Sequence, residues 1–187
     1  LSVNPLYKIP LSVDIYQGTK AERKEIVLEK KDQTFTFPLA VSPDLVNVDA
    51  EKYILAEKQE KKTLKEYVFQ YQNAPLFMDR LEAVMKLLDM KDESLAKSIV
   101  IMALKDQSWF IRYSAMAVLE HLTEDERLAV LKQIKDMTLH DKVSQVRAAA
   151  VANLAKYYRA ADNRDVFIQT VKDKSPAVIR ASNSALK

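Results

Sequence analysis

The sequence predicts an α+β chain whose two kinds of structure occupy separate halves. A small antiparallel β-sandwich module covers residues 1–62, and helical hairpins cover residues 63–187. Three observations predict this. In the first sixty residues apolar and polar positions alternate with period two, the period of a strand with one buried face. From Thr63 onward the apolar period lengthens to that of a helix. Within that second half one helix is written three times: WFIRYSAMAVL (109–119), SQVRAAAVANL (144–154) and AVIRASNSAL (177–186).

The β half divides into five short runs: Leu11 to Tyr16, Lys24 to Lys30, Thr34 to Pro38, Asp44 to Asp49 and Lys52 to Lys58. Turn signals separate them at Gln17-Gly18-Thr19, Lys31-Asp32-Gln33 and Ser42-Pro43-Asp44. Five strands with one buried face need a second layer, from strands further upstream or from the helices that follow. The charge run EKQEKK (57–62) reads as a solvated edge or turn. The helical half opens with a capping box, Thr63 with Glu66, and a second lies at Thr123 and Glu126. Ser175-Pro176 is a third start signal, a cap residue followed by proline at the first helical position. Helices are expected near 64–72, 75–89, 93–105, 108–121, 124–137, 143–158, 163–173 and 176–187. Short links between them make about four antiparallel hairpins.

Composition narrows the function classes. At 187 residues the chain holds one medium domain or two small ones, and 48% hydrophobic with 29% charged residues is a globular balance. No apolar run approaches the ~20 residues of a membrane helix, so no membrane span is expected. The opening LSVNPLYKIP shows no signal-peptide pattern, although a chain beginning at Leu reads as one trimmed or cut from a longer protein. The absence of cysteine excludes disulfides, thiolate metal sites and cysteine catalysis. Net charge is +3 with the signs mixed along the helical half, so nucleic acid is not an expected partner. Gly18 is the single glycine, which excludes glycine-rich phosphate loops and dinucleotide fingerprints.

Arg112, Arg147 and Arg180 lie 35 and 33 residues apart, and Arg80 lies 32 before the first. The preceding residue is Ile111, Val146 or Ile179, with Asp79 the exception. Asp106 and Asp141 stand six residues before their arginines, and Asp173 stands seven before. Small residues recur at Ala117, Ala152 and Ala185. Paired helices at this period make a solenoid. The pattern resembles HEAT-type repeats, whose second helix opens with a turn, an aliphatic residue and Arg, and so implies an α-α superhelix. The tetratricopeptide pattern fits less well. Two readings of the four arginines stand side by side: an Asp–Arg ladder between layers, or contact with a ligand. Trp109 and Phe110 are expected to pack between hairpins.

No catalytic constellation emerges from the residues. His121 is followed by LTED and His140 by DKVS, so neither fits the H-E-x-x-H of a zinc site. His121 is placed at a helix end and His140 in a loop. A nucleophile elbow is impossible with one glycine. The carboxylate pairs Asp89 with Asp92 and Glu124 with Asp125 fall at helix ends or starts, where they serve the backbone. No catalytic or metal-binding residue is assigned.

A β module feeding directly into α-hairpins resembles the C-terminal part of zinc aminopeptidases related to aminopeptidase N, of bacterial type. LYKIPLSVDIY (6–16) resembles that family's aromatic-x-x-Pro strand. QTFTFPLAVSPDLVNVD (33–49) resembles its strand, proline turn and Val-Asn strand. EKKTLKEYVFQYQNAPLFMDRLEAV (60–84) is similar to its passage into the helices. The resemblance implies a non-catalytic C-terminal fragment, with a β-sandwich incomplete at its N-terminus. Zinc and the peptidase chemistry are expected in the parent's catalytic domain, not in this chain, since H-E-x-x-H and G-x-M-E-N are both missing. It implies as partners that catalytic domain and a peptide substrate. The second helices, starting at Arg80, Arg112, Arg147 and Arg180, would line the concave side of the substrate chamber. A periplasmic or cell-envelope location agrees with the resemblance, and the sequence leaves the compartment open. The other reading is a stand-alone HEAT-like scaffold that binds another protein along its concave face.

Overall fold

The computed structural model describes residues 7–56 and 58–187. It is mixed α and β, with a three-stranded antiparallel sheet first and eight α-helices after it among the described residues. The chain divides into two compact units at Ala83 and Val84. The first helix starts directly after its cap Thr63, where the period change predicts it. The compact division comes later because α1 (Leu64–Asn73) packs on the sheet and the first turns of α2 (Phe77–Asp89) are bonded to both.

In the first unit β1 (Ile9–Gln17) is the central strand, with β2 (Lys20–Leu28) and β3 (Leu45–Val48) on either side. The β1–β2 hairpin closes at Gly18, whose φ of 59° is the left-handed value glycine tolerates. Its amide donates to Asp44 Oδ2 at 2.7 Å, which fastens the start of β3 to the turn. Leu11, Val13 and Ile15 share one face and pack with Ile26, Phe35, Phe37 and Ile54. Ser12, Asp14 and Tyr16 point the other way and are buried as well. Tyr16 meets Phe69 of α1 edge-on, with centroids 5.7 Å apart.

Two of the five predicted strands do not form. Residues 34–38 keep the alternation, with Phe35 and Phe37 half-buried on the sheet face. They lie across that face through their side chains and join no ladder, and Pro38 has no amide to donate. In the run predicted at 52–58, the amides of residues 52–54 are used elsewhere. The Asp49 carboxylate accepts from Tyr53 N and Ile54 N at 3.1 and 3.2 Å, an Asx-type turn in place of strand pairing. Asp49 and Lys52 both hold positive φ, 52° and 55°, which costs a non-glycine residue about 1–2 kcal/mol. The turn delivers the Lys52 ammonium to Asp79.

Asp79 is fully buried, and its Oδ1 accepts from Lys52 Nζ at 2.7 Å and Asn47 Nδ2 at 3.0 Å. Its backbone carbonyl accepts from Gln70 Nε2 at 2.9 Å, so strand, turn, α1 and α2 meet at one residue. The charge run beside this junction is only partly solvated: Gln59 and Lys61 are exposed, while Lys58, Glu60 and Lys62 are half-buried. The Lys62 side chain is 5% exposed and bridges Glu60 and Gln70, while Lys58 lies 3.0 Å from Glu60 and 3.3 Å from Glu82. Glu57 of that run lies outside the described residues.

The second unit continues α2 and adds α3 (Ser94–Ala103), α4 (Trp109–Ala115) with a 3-10 segment (Met116–His121), and α5 (Glu124–His140). Then come α6 (Ser144–Tyr157), a 3-10 turn (Ala160–Asn163), α7 (Arg164–Thr170) and α8 (Pro176–Ala185). Both predicted capping boxes form, at Thr63 and Thr123. The helices pack in two layers: α6 lies between α4 and α8, while α5 packs on α7. Ile111, Leu119, Ile134, Val146, Leu154, Phe167 and Val178 fill the core with essentially no exposure. α5 runs three residues beyond its predicted end, so His140 closes a helix rather than sitting in a loop.

Replacing Asp79 by Ala leaves the Lys52 ammonium without its carboxylate in a buried site. The expected loss is about 3–5 kcal/mol, measured by chemical denaturation. Lys52→Met with Asp79→Leu in the same chain should recover much of that loss, because removing both charges also removes their desolvation.

Candidate functional site

The repeated arginines are the one chemistry-bearing pattern in the sequence, and the structure separates their roles. The distinction begins with the backbone at each helix start. The amides of Arg80, Arg112, Arg147 and Ile179 donate to the carbonyls of Leu76, Ser108, Val143 and Ser175 respectively. The fourth helical residue is therefore Arg80, Arg112, Arg147 and Ile179. Alignment on arginine misplaces the last helix by one residue, and Arg180 stands about 100° round from the position its relatives hold. The seven-residue spacing from Asp173, against six in the earlier turns, is the visible trace of this offset.

Arg112 and Arg147 make the same set of bonds. Arg112 Nε and Nη2 donate to the two carboxylate oxygens of Asp141 at 2.7 and 2.8 Å. Its Nη1 donates to the carbonyls of Asp106 and Gln107 at 2.9 and 3.2 Å. Arg147 donates to both oxygens of Asp173 at 2.8 Å, and its Nη1 donates to the carbonyl of Asp141 at 2.8 Å. Bidentate pairs of this kind combine charge with fixed orientation. Each rung joins one helical layer to the next, and every guanidinium nitrogen that can donate is occupied.

The aspartates also set the helix starts. Asp106 Oδ1 accepts from Ser108 N at 2.7 Å, Asp141 Oδ1 from Val143 N at 2.9 Å and Asp173 Oδ1 from Ser175 N at 2.7 Å. Ser108 and Ser175 occupy the cap position but give no side-chain cap bond, so the aspartate two residues earlier does that work. Burial raises the Asp141 carboxyl, and bonds from Arg112 and the Val143 amide outweigh it, leaving the group below the usual range. Arg147 holds the Asp173 carboxyl low, with the Ser175 amide adding to the effect. The Arg112 and Arg147 guanidinium groups are raised by the same partners.

Arg80 donates to the carbonyl of Pro75 at 2.9 Å. Arg180 is exposed. Its helix turns polar residues outward, with Asn183 and Ser184 exposed. Trp109 and Phe110, expected to pack between hairpins, are 41% and 39% exposed. They stand edge-to-face, centroids 5.5 Å apart, and Tyr113 stacks on Phe110 at 6.4 Å. His121 ends the 3-10 segment after α4. Among the described residues no group of three or more His, Asp or Glu side chains is placed to hold a metal ion. No helix among them is long and apolar enough to cross a membrane.

Tyr158 shows how the layer ends are closed. Its hydroxyl donates to the carbonyl of Arg127 at 2.9 Å, while Arg127 Nη1 donates to the carbonyls of Leu119 and Leu122. Burial pushes the Tyr158 phenol up to about 12. Sequence reasoning passed over this residue, since the Tyr157-Tyr158 pair at a helix end carries no motif.

No family model matches the chain, and no curated protein matches it.

In a double-mutant cycle, Arg147→Gln and Asp173→Asn should show a coupling of about 1–3 kcal/mol at neutral pH. Arg180→Gln should be silent within about 0.5 kcal/mol. The carboxyl of Asp173 titrates lower in the folded chain than in the unfolded one, so the folded state gains from this group above pH ~4. The coupling should therefore be full above that value and fade as the pH falls below it. Tyr158 gives the opposite limb. Its contribution is present below pH ~10 and is lost as the pH rises toward about 12, and Tyr158→Phe should remove that dependence.

Proposed function

We propose that the chain is an architectural, non-catalytic segment: a β-sandwich-type module followed by a HEAT-like superhelix, from the C-terminal part of a zinc aminopeptidase related to aminopeptidase N. The observation that carries the reading is the order and joining of the modules. A small antiparallel sheet is bonded directly to the first helices, and the later helices are tied layer to layer by repeated Asp–Arg rungs. This is the arrangement the resemblance implies for the family's β and helical parts.

On this reading the helical layers act by shape. They close over the catalytic cleft of the parent and bound the space a peptide enters. Zinc and the proton transfers of hydrolysis belong to the parent's catalytic domain, and no step of that chemistry is assigned to a residue here. Arg112 and Arg147 keep the layers in register, because their donors are already used by Asp141 and Asp173.

An antibody against this chain, used on extract of the source cells, should detect a polypeptide several times heavier than 21.4 kDa, with H-E-x-x-H encoded upstream. A band near 21.4 kDa would overturn the aminopeptidase reading and favour the stand-alone scaffold. The purified chain should bind no stoichiometric zinc and turn over no aminoacyl-arylamide.

A further inference from the structure

Leu11 packs on the apolar face of the sheet and also lines a cavity of about 650 Å³ in the first unit. Its size falls within the range of small-ligand sites. Val48 and Ile54, both half-buried, continue the wall, and Met78 of α2 and the fully exposed Leu55 stand at its mouth. Four charged residues line the cavity as well, and each is already bonded within the protein. Lys52 Nζ donates to Asp79 and, at 2.9 Å, to Asn47 Oδ1. The two carboxylate oxygens of Asp49 accept the amides of Tyr53 and Ile54. Lys58 pairs with Glu60 and Glu82, and Glu82 also accepts from Gln70. Among the described residues the two ammonium groups and two carboxylates of the lining balance, so it favours neither sign of charge. An ion that entered would lose its water and find each counter-charge in use. Among the described residues the one ring in the lining is Tyr53, four-fifths exposed, so the interior offers aliphatic side chains and no aromatic face.

We propose that this cavity binds an uncharged molecule by its aliphatic chain, with the chain against Leu11, Val48, Ile54 and Met78 and the polar end in water at the mouth. Burial of the chain, and of Leu55 beneath it, supplies the attraction. The unbranched thioether of Met78 adapts to a flexible chain. A free long-chain alcohol and the acyl chain of a monoglyceride share this chemistry. The inference stands on the cavity alone and does not depend on the aminopeptidase reading.

The probes are 1-octanol, octanoate and octylammonium, which share a chain length and differ in charge. Amide chemical shifts of the purified, isotope-labelled chain report both the affinity and the place of binding. 1-Octanol should shift the amides of Val48, Ile54 and Leu55 saturably. At neutral pH the two ions should bind at least about tenfold more weakly, equivalent to 1.4 kcal/mol. Met78→Glu puts an unmatched charge in the wall, and should weaken 1-octanol about tenfold and rank octylammonium above octanoate. Leu55→Ser, at a fully exposed residue that the fold does not need, should weaken 1-octanol about threefold. Leu128→Ser, on α5 and outside the lining, is the control and should change nothing. Monooctanoylglycerol then separates the two sources, and binding of either it or the alcohol supports the site. Equal binding of the alcohol and both ions would overturn the proposal, as would the absence of any saturable shift at these amides with alcohol or glyceride up to their solubility limits.

Discussion

The helical unit depends on what one aspartate does in each of two inter-helix turns. Its Oδ1 takes the backbone amide two residues on, and both its oxygens take the guanidinium of the preceding layer. The first bond fixes where a helix starts, and the second fixes where that helix sits against its neighbour. The two are coupled through one carboxylate, so the start of α6 and its distance from α4 cannot vary separately. The same pairing at Asp173 repeats the constraint for α8. Short chain links leave the stacking of hairpins free to slide along shallow apolar surfaces. A bidentate ion pair does not tolerate such slippage, because both bonds fail together.

The sheet unit solves the related problem of attaching strands to helices with a different residue in a comparable place. The third helical residue is buried in each second helix: Ile111, Val146 and Val178 in the core, and Asp79 in α2. In α2 that position faces the polar side of the sheet, where Asn47 and the turn lysine Lys52 converge on it. An apolar residue there would leave both without a partner. The charge at Asp79, which breaks the repeat in the sequence, therefore marks the junction between strand and helix. The burial of Ser12 and Asp14 has the same origin. The polar face of β1 is covered, and Arg23 answers Asp14 with two bonds at 2.8 and 3.0 Å.

Much of the helical half was legible because helix starts have local chemistry. Thr63 with Glu66 and Thr123 with Glu126 cap where their spacing says they should. The Asp-x-Ser and Asp-x-Val starts at 106, 141 and 173 were readable too, as spacings, but their bonds to the backbone were not drawn from them. Arg180 was misassigned because type and approximate period cannot resolve a one-residue offset, which turns a side chain by about 100°. In the β half, period two reports alternate burial and nothing about pairing. Phe35 and Phe37 alternate on a face without a ladder, and Tyr53 and Ile54 lend their amides to Asp49. Lys58 and Lys62 of the charge run looked solvated because their partial burial depends on Gln70 and Glu82, distant in sequence. The cavity beside Leu11 left no motif, since its walls come from strands, the turn after them and α2, far apart in sequence.

The functional account rests on the arginines being committed inward. Amide hydrogen exchange at Val143 and Ser175 tests this most directly, in the native chain and in Arg112→Gln and Arg147→Gln. Both amides donate to rung carboxylates, so both should exchange slowly in the native chain. Each variant should speed the amide of its own rung and leave the other nearly unchanged. Exchange of both amides at the rate of an open chain in the native protein, or no response to loss of the guanidinium, would contradict the account. The arginines would then be free to serve a ligand rather than the layers.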